Sequence, residues 1–457
     1  GERKGRNKEK RKIRKKVENL YSNWYLNKLA VNFSESLVDE ESWSISGVRQ
    51  QNSFYNAYIN NFITENEKVF VIISDGLRYE AAAELEQILK SSFKSEVNLS
   101  ALQGSIPSTT SIGMASTLPH KELKINEKQE IFVDGQKTKS TQDKFNVLRN
   151  EVIKSNVLKA RKALNMITDE LREEIYGKDL IYIYHDTIDA IGDNFKTEDE
   201  VFDAVDKALD EIRLLIKSLI SKVSATNIII TADHGFIYRR GDIQASDKTK
   251  KDHSNNEKES RRYIITNDKE EPSGSISKPL NYLFTDTDLK AVVPKGANRF
   301  QISGPGLKYV HGGAALQEIV IPVIKFKNDR SKSSKNIAEK VDIKITNINK
   351  KITNSIFHLE FFQTEKVAEK ILPRSLILYF INEKGEKISN ENMILADSRS
   401  SDPEDRTYKE RFTLKNIEYN KNQNYYLIME DKDEDVEKEY ARIPFKINLI
   451  INQDFDF

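Results

Sequence analysis

Apolar positions along the chain change their period twice, and each change marks a different kind of structure. Leu20, Trp24, Tyr25 and Leu29 recur at helical spacing, and Phe54, Tyr58 and Phe62 follow at a four-residue step, which predicts packed helices leading into the next segment. From Val69 the pattern becomes short continuous runs: VFVII at 69–73, LIYIY at 180–184 and NIIIT at 227–231. Runs apolar on both faces are what strands buried in a parallel sheet require. Between the second and third runs, Phe202, Val205, Leu209, Ile212, Ile216 and Leu219 share one face behind a Thr197-x-x-Glu200 capping box, predicting a long amphipathic helix. Strand, helix and strand in that order argue a βαβ unit and an α/β sheet.

Residues 239–278 break this rhythm with polar, Gly/Ser/Pro-bearing sequence and read as a surface insertion. Sheet signals return at Ala291–Pro294 and at EIVIPVIKF, Glu318–Phe326. Past a Lys/Ser/Asn-rich linker near 327–335, the segments VDIKITNI, LILYFI, YYLIM and FKINLII are separated by charged turns and predict an all-β domain of sandwich type. The expected organisation is a helical lead-in at 1–64, a catalytic domain at 65–327 and a β-rich domain at 328–457. No chemistry is expected of the last, because His358 stands alone within a strand pattern there.

Composition narrows the chemistry. With 457 residues, 38% hydrophobic and 31% charged, the chain can bury more than one core and carry a heavily charged surface. No run approaches a membrane span, so a membrane is not an expected partner. There is no Cys, so thiolate nucleophiles and Cys-ligated zinc are excluded; the absence fits a reducing cytosol, the expected location. The net charge of +1 hides a basic start, GERKGRNKEKRKIRKK, and an acidic stretch, EDKDEDVEKE, so global charge names no partner. The first residue is Gly and no signal-peptide pattern follows, which reads as a piece of a longer protein.

Each of the three buried runs ends in ionisable residues. The first leads into Asp75, the second into His185, Asp186 and Asp189, and the third into Asp233 and His234. In an open parallel sheet, ligands collect beyond the carboxyl ends of strands, so these residues can converge despite their separation in sequence. His311, ahead of the returning strand and followed by two glycines, is a further contributor. Carboxylate and imidazole ligands suit zinc, manganese and related divalent ions. A nucleophile is offered by GSIPSTTSIGMASTLP, where Thr110 falls near the start of a short apolar helix. Taken singly, the acids read equally as turn or capping residues, His311 as a structural histidine and the Ser/Thr cluster as helix caps. Their joint occurrence in this order favours a site.

SDGLRYE, PSTTSIGMASTLP, YHDTIDAIGD, TADHGF and HGGAALQEIVIPV together resemble the ordered motifs of the alkaline phosphatase superfamily, above all its nucleotide pyrophosphatase and phosphodiesterase branch, and more narrowly the PglZ domain of BREX anti-phage systems. The resemblance spans about 65–327. It implies an alkaline-phosphatase-like α/β sheet sandwiched by helices, and two divalent metal ions, zinc first with manganese or magnesium as alternatives. By this resemblance, Asp75, Thr110, Asp233 and His234 hold one ion, and His185, Asp189 and His311 the other, with Asp186 as a rival. The phosphodiesterase branch has Asp followed four residues later by His, whereas His185 here precedes Asp189 by four.

The same resemblance makes Thr110, three residues after Pro107, the nucleophile that forms a phospho-threonine later hydrolysed by water. Arg78 and Arg262, or its neighbour Arg261, are the expected forked donors to substrate oxygens. The implied function is a phosphodiesterase or nuclease acting on nucleic acid or nucleotides, with DNA, a methyltransferase and an ATPase of the same system as expected partners. The alternatives are a hydrolase of small phosphate or sulfate esters and a metal-holding scaffold with little turnover. The basic first residues can contact a phosphate backbone, although a solvated helix end explains them as well.

Overall fold

A computed structural model describes residues 12–13, 15–38, 40–241, 243, 247–249, 260–302, 308–329, 339–347, 350–368, 371–432 and 439–449. The basic first residues, the middle of the 239–278 segment, most of the linker and part of the acidic stretch lie outside the described residues. The chain divides into two compact units, Gly1–Lys332 and Ser333–Phe457.

The first unit is built on a six-stranded sheet. Its strands are β1 (Val69–Ser74), β2 (Ser95–Gln103), β3 (Ser155–Lys159), β4 (Leu180–His185), β5 (Asn227–Thr231) and β6 (Val320–Asn328), in the order β2-β6-β5-β1-β4-β3. The three continuous apolar runs form the adjacent strands β5, β1 and β4, all parallel, with every residue of β1 buried. β6 runs antiparallel between β5 and β2. β4 and β5 sit on opposite sides of β1, so the chain reverses its order there and opens a crevice at the carboxyl end of β1. The helices used below are α1 (Asn27–Val38), α2 (Tyr79–Ser92), α3 (Thr110–Ser116), α4 (Thr141–Glu151), α5 (Thr187–Gly192) and α6 (Val201–Val223).

α6 is the amphipathic helix of the sequence, with two differences. Thr197 donates its hydroxyl to Ile191 O at 2.8 Å instead of capping, and a tighter turn over Glu198–Glu200 precedes the helix proper. The helix therefore starts later and buries Val201, Ala204 and Ala208 in front of Leu209, Ile212, Ile216 and Leu219, while Phe202 is 44% exposed under the Arg240 guanidinium. The lead-in is helical, but it faces the other way: Leu20, Trp24 and Tyr25 are more than half exposed, and Leu26, Ala30, Ser34 and Leu37 face inward. A wider turn over Leu20–Leu26, closed by Asn27 N–H on Ser22 O, shifts the helical phase between the two sets. Phe54 is fully buried and stacks on Tyr58 at 5.7 Å.

The 239–278 segment is not all surface. Ile264–Thr266 and Ser275–Pro279 flank Lys290–Pro294 in a three-stranded antiparallel sheet, where Ile264, Ile265 and Ile276 are buried against valines. In the second unit, a three-stranded sheet (Ile343–Ile345, Ile356–Gln363, Thr407–Thr413) and a five-stranded sheet share one apolar core. Phe357 and Phe412 from the first meet Phe380 from the second edge-on at 5.6 and 5.3 Å, the packing of a β-sandwich.

The lead-in also fixes the backbone at the crevice. Gln51 is 1% exposed; its amide N–H donates to Ala232 O and Asp233 O at 3.1 and 2.7 Å, and its carbonyl accepts Ser105 N–H at 3.3 Å. Replacing Gln51 with Leu strands these buried groups and should lower stability by about 1–3 kcal/mol in chemical denaturation. An unchanged midpoint would show that the staple contributes nothing.

Candidate metal and nucleophile site

β1 ends at Ser74, and Asp75 continues the ladder by donating its N–H to His185 O at 2.8 Å. Asp233 and His234 follow β5. All three side chains are drawn into one dry crevice: Asp75 and Asp233 are buried, and His234 is fully so. His234 Nε2 stands 3.4 Å from Asp75 Oδ1 and 3.4 Å from Asp233 Oδ2, and both of these carboxylate oxygens are buried without a hydrogen-bond partner. Asp233 Oδ1, by contrast, accepts the N–H groups of Gly76 and His234 at 3.2 and 2.9 Å.

Thr110 joins this group from α3. Thr109 is extended at the N-cap position, so Thr110 opens the helix, and its hydroxyl lies 3.0 Å from His234 Nε2. The helix approaches so closely that a Cβ at Gly113 would overlap Asp233 O, which restricts that position to glycine. The neighbouring hydroxyls are engaged elsewhere. Ser108 donates to Gly313 O at 2.8 Å and accepts Gly312 N–H at 3.1 Å, and Thr109 pairs with Ser111 at 3.3 Å.

Beside this trio, Asp189 on α5 accepts the Tyr309 hydroxyl at 3.0 Å, with His311 Nε2 at 3.9 Å. The rings of His234 and His311 stack at 4.0 Å and 3°. Each histidine presents Nε2 to the crevice because its Nδ1 faces a carbonyl: Gly235 O at 2.9 Å for His234 and Ser108 O at 3.2 Å for His311. A carbonyl only accepts, so Nδ1 carries the hydrogen and Nε2 keeps its lone pair. Asp75, Asp233 and His234 form one set of ligand atoms within 4.8 Å of one another, and Asp189, His234 and His311 form a second.

The electrostatics follow from burying like charges. Burial, then Asp233 and Asp189, hold the Asp75 carboxyl well above the usual range. Burial and Asp189 push Asp233 up to about 7 against the two N–H bonds it accepts, and burial lowers both histidines, keeping the imidazoles neutral.

His185 is not among these atoms. Its Nδ1 pairs with Ser74 Oγ at 2.9 Å and its Nε2 with Glu211 at 2.9 Å, so neither nitrogen is available, and it acts as a brace between β1, β4 and α6. Asp186 is exposed at the start of α5. The acid missed in the sequence is Asp193, four residues after Asp189 and the C-cap of α5; burial and Asp189 raise its carboxyl, and it acts on His311. The i,i+4 spacing within DAIGD was the available signal.

The arginines also differ from expectation. Arg262 is fully buried and forks onto Glu318 at 2.9 and 2.6 Å, while Glu318 accepts Gly313 and Ala315 N–H at 2.9 Å each. Burial alone would raise the Glu318 carboxyl, but Arg262 and the two N–H groups hold it below its usual value. Arg262 thus holds the loop after His311, where a Cβ at Gly313 would overlap its guanidinium. Arg261 donates to Ile302 O at 2.7 Å. Arg78 pairs with Glu80 and lies over Phe236, 5.2 Å from the ring centre.

A profile described as the BREX system PglZ alkaline phosphatase-like domain matches residues 54–326. The "Alkaline phosphatase-like protein PglZ" of Bacillus cereus (strain H3081.97) is 48% identical over 450 residues, 98% of this chain and 53% of that protein. The "Alkaline phosphatase-like protein BrxZ" of Escherichia coli O9:H4 (strain HS) is 32% identical over 453 residues, 96% of this chain and 52% of that protein. The chain thus spans about half the length of these relatives. Among solved structures, murine ectonucleotide pyrophosphatase / phosphodiesterase 5 aligns with 57% of this chain and 88% of its own at 11% identity and a TM-score of 0.40. A phosphonoacetate hydrolase from Sinorhizobium meliloti 1021 aligns with 59% of this chain and 92% of its own at 12% identity and a TM-score of 0.34.

Two expectations follow. In the metal-free protein Asp233 titrates at about 7 against an ordinary value of 3.8, so the folded state keeps a proton that the unfolded chain has lost between those values. The stabilising contribution is full below the unfolded value and lost as pH rises through about 7. Metal-free Asp233→Asn should therefore melt above the metal-free parent at alkaline pH, with the gap closing in mild acid; a gap independent of pH would rule out charge crowding. Arg262→Met, by leaving Glu318 charged and buried, should destabilise by about 3–5 kcal/mol in denaturant titrations, where a substrate-contacting surface arginine would leave stability unchanged.

Proposed function

The chain belongs to the PglZ family of BREX alkaline phosphatase-like domains, and on that premise we propose that it is a divalent-metal-dependent phosphoric ester hydrolase with Thr110 as nucleophile. The observation that carries the proposal is the group formed by the Thr110 hydroxyl, His234 Nε2 and the two buried carboxylate oxygens without partners, on Asp75 and Asp233.

These residues fit a cation. Two buried carboxylates held this close resist ionisation together, and a divalent ion relieves both their repulsion and their missing contacts. Asp75, Asp233, His234 and Thr110 would hold one ion. Asp189 and His311, next to His234, would hold a second, with Asp193 acting on His311 nearby, replacing the set that included His185. Neutral imidazoles and carboxylates suit zinc, with manganese or magnesium as alternatives. When bound, such a pair supplies Lewis-acid stabilisation of the attacking and leaving oxygens.

The protein's own residues do the rest. Thr110, at the start of α3 and held by the close packing of Gly113 on Asp233, would direct Oγ1 in line at phosphorus. The new O–P bond forms as the bond to the leaving group breaks, and the hydroxyl proton ends on the departing alcohol. Water then opens the phospho-threonine from the opposite side and restores the hydroxyl. Ser108 and the Arg262–Glu318 pair keep the His311 loop against Thr110 throughout.

The substrate we propose is a phosphodiester of nucleic acid or a nucleotide, with a methyltransferase and an ATPase of the BREX system as partners. Support comes from the family and from the names of the relatives. Among the described residues no helix is long and apolar enough to cross a membrane.

With zinc supplied, Thr110→Ala should lower turnover of bis(p-nitrophenyl) phosphate by about a thousandfold or more while stability moves by no more than about 1 kcal/mol. Ser108→Ala should instead weaken the His311 loop and leave measurable turnover. Parent-like rates in Thr110→Ala would place the nucleophile elsewhere.

A further inference from the structure

Lys144 lies on α4, just past the Ser140–Asp143 capping box, and the hydrolytic steps above make no use of it. Its half-buried side chain turns inward until the ammonium is 5.0 Å from the centre of the Tyr184 ring, next to the carboxyl end of β4. Both groups feel the site. Lys144 acts through space on Asp75 and Asp233, and Asp233 acts on Tyr184. Among the described residues, no carboxylate forms an ion pair with Lys144. The Tyr184 hydroxyl is buried and has no hydrogen-bond partner.

A packing role does not account for this pair. A lysine on the outer side of a helix keeps its ammonium in water at no penalty, and a buried phenol without a partner is disfavoured. Tyr182, two residues earlier on the same face of β4, shows the ordinary solution: its hydroxyl donates to Thr117 O at 2.8 Å. The charges supply a reason for the difference. Two divalent ions would be matched by the carboxylates of Asp75, Asp189, Asp193 and Asp233, which leaves the charge of a bound phosphoryl group without a partner in a dry crevice. Lys144 is a cation whose charge acts on Asp75 and Asp233 at this site.

We infer that Lys144 and Tyr184 form the anion-binding wall of the site, with the ammonium and the phenol O–H taking non-bridging oxygens of a phosphate ester. The inference deepens the hydrolase reading and rests on it for the position of phosphorus.

Inorganic phosphate is the probe, titrated calorimetrically into the zinc-loaded 457-residue chain as parent, Lys144→Met, Lys144→Arg and Tyr184→Phe. Zinc stoichiometry, melting temperature and the kinetics of bis(p-nitrophenyl) phosphate are measured in parallel. Lys144→Met should keep the zinc and the melting temperature and bind phosphate about tenfold or more weakly, the size of a lost charge-assisted contact. Lys144→Arg should recover most of that loss, and Tyr184→Phe should show a smaller one.

Phosphate affinity unchanged in Lys144→Met, no phosphate binding by the parent, or a loss that tracks a loss of zinc would each overturn the inference. If Lys144→Met melts far below the parent, the comparison of Tyr184→Phe with the parent decides in its place. Phosphate binding that depends on Lys144 in a parent without esterase activity would refute the hydrolase reading and leave the inference standing. Normal hydrolysis with an indifferent Lys144→Met would do the reverse.

Discussion

The structure depends on a concentration of like charge where water is excluded. Asp75, Asp233 and Asp189 converge at the carboxyl end of the central parallel strands, and Asp75 and Asp233 each leave one oxygen without a hydrogen bond. An isolated domain gains nothing from such an arrangement, because each carboxylate raises the energy of ionising the next. It is tolerable where a cation completes it or a proton stands in for one. The stability of the fold and the protonation of these carboxylates are therefore one electrostatic question.

Around that centre, the supporting contacts join segments far apart in the chain. Gln51 from the lead-in fixes the carbonyls of Ala232 and Asp233, Ser108 ties the Thr110 segment to Gly312 and Gly313, and Glu318 with Arg262 shapes the loop after His311. His185 and Glu211 brace the start of the crevice from the other side. Neutral amides and hydroxyls serve next to Asp233 and Thr110, and the Arg262–Glu318 ion pair stands behind the glycine loop.

The central sheet and the convergence of side chains at its carboxyl edge were legible in the sequence, because burial on both faces demands continuous apolar runs and the polar residues at their ends have few alternatives. The runs at Val69, Leu180 and Asn227 became adjacent parallel strands, and the acids and imidazole after two of them, Asp75, Asp233 and His234, met with Thr110 as their order implied. The PglZ family model matches residues 54–326, the region that carries these strands and motifs.

What the sequence left open was direction. Whether His185 points at a metal or at Glu211 depends on α6, placed 26 residues later, and Arg262 is spoken for by Glu318, 56 residues away. Asp193 rather than Asp186 acts on His311, because the four-residue step from Asp189 to the C-cap of α5 brings it back to the side that Asp189 occupies. Even the lead-in, correctly read as helical, presents Trp24 outward because one wide turn shifts its phase. Local pattern determined which residues are strand, helix and strand end, since that depends on near neighbours. Only the tertiary structure decided which polar side chain meets which, because hydrogen-bond partners and charge are supplied by segments that the local pattern cannot see.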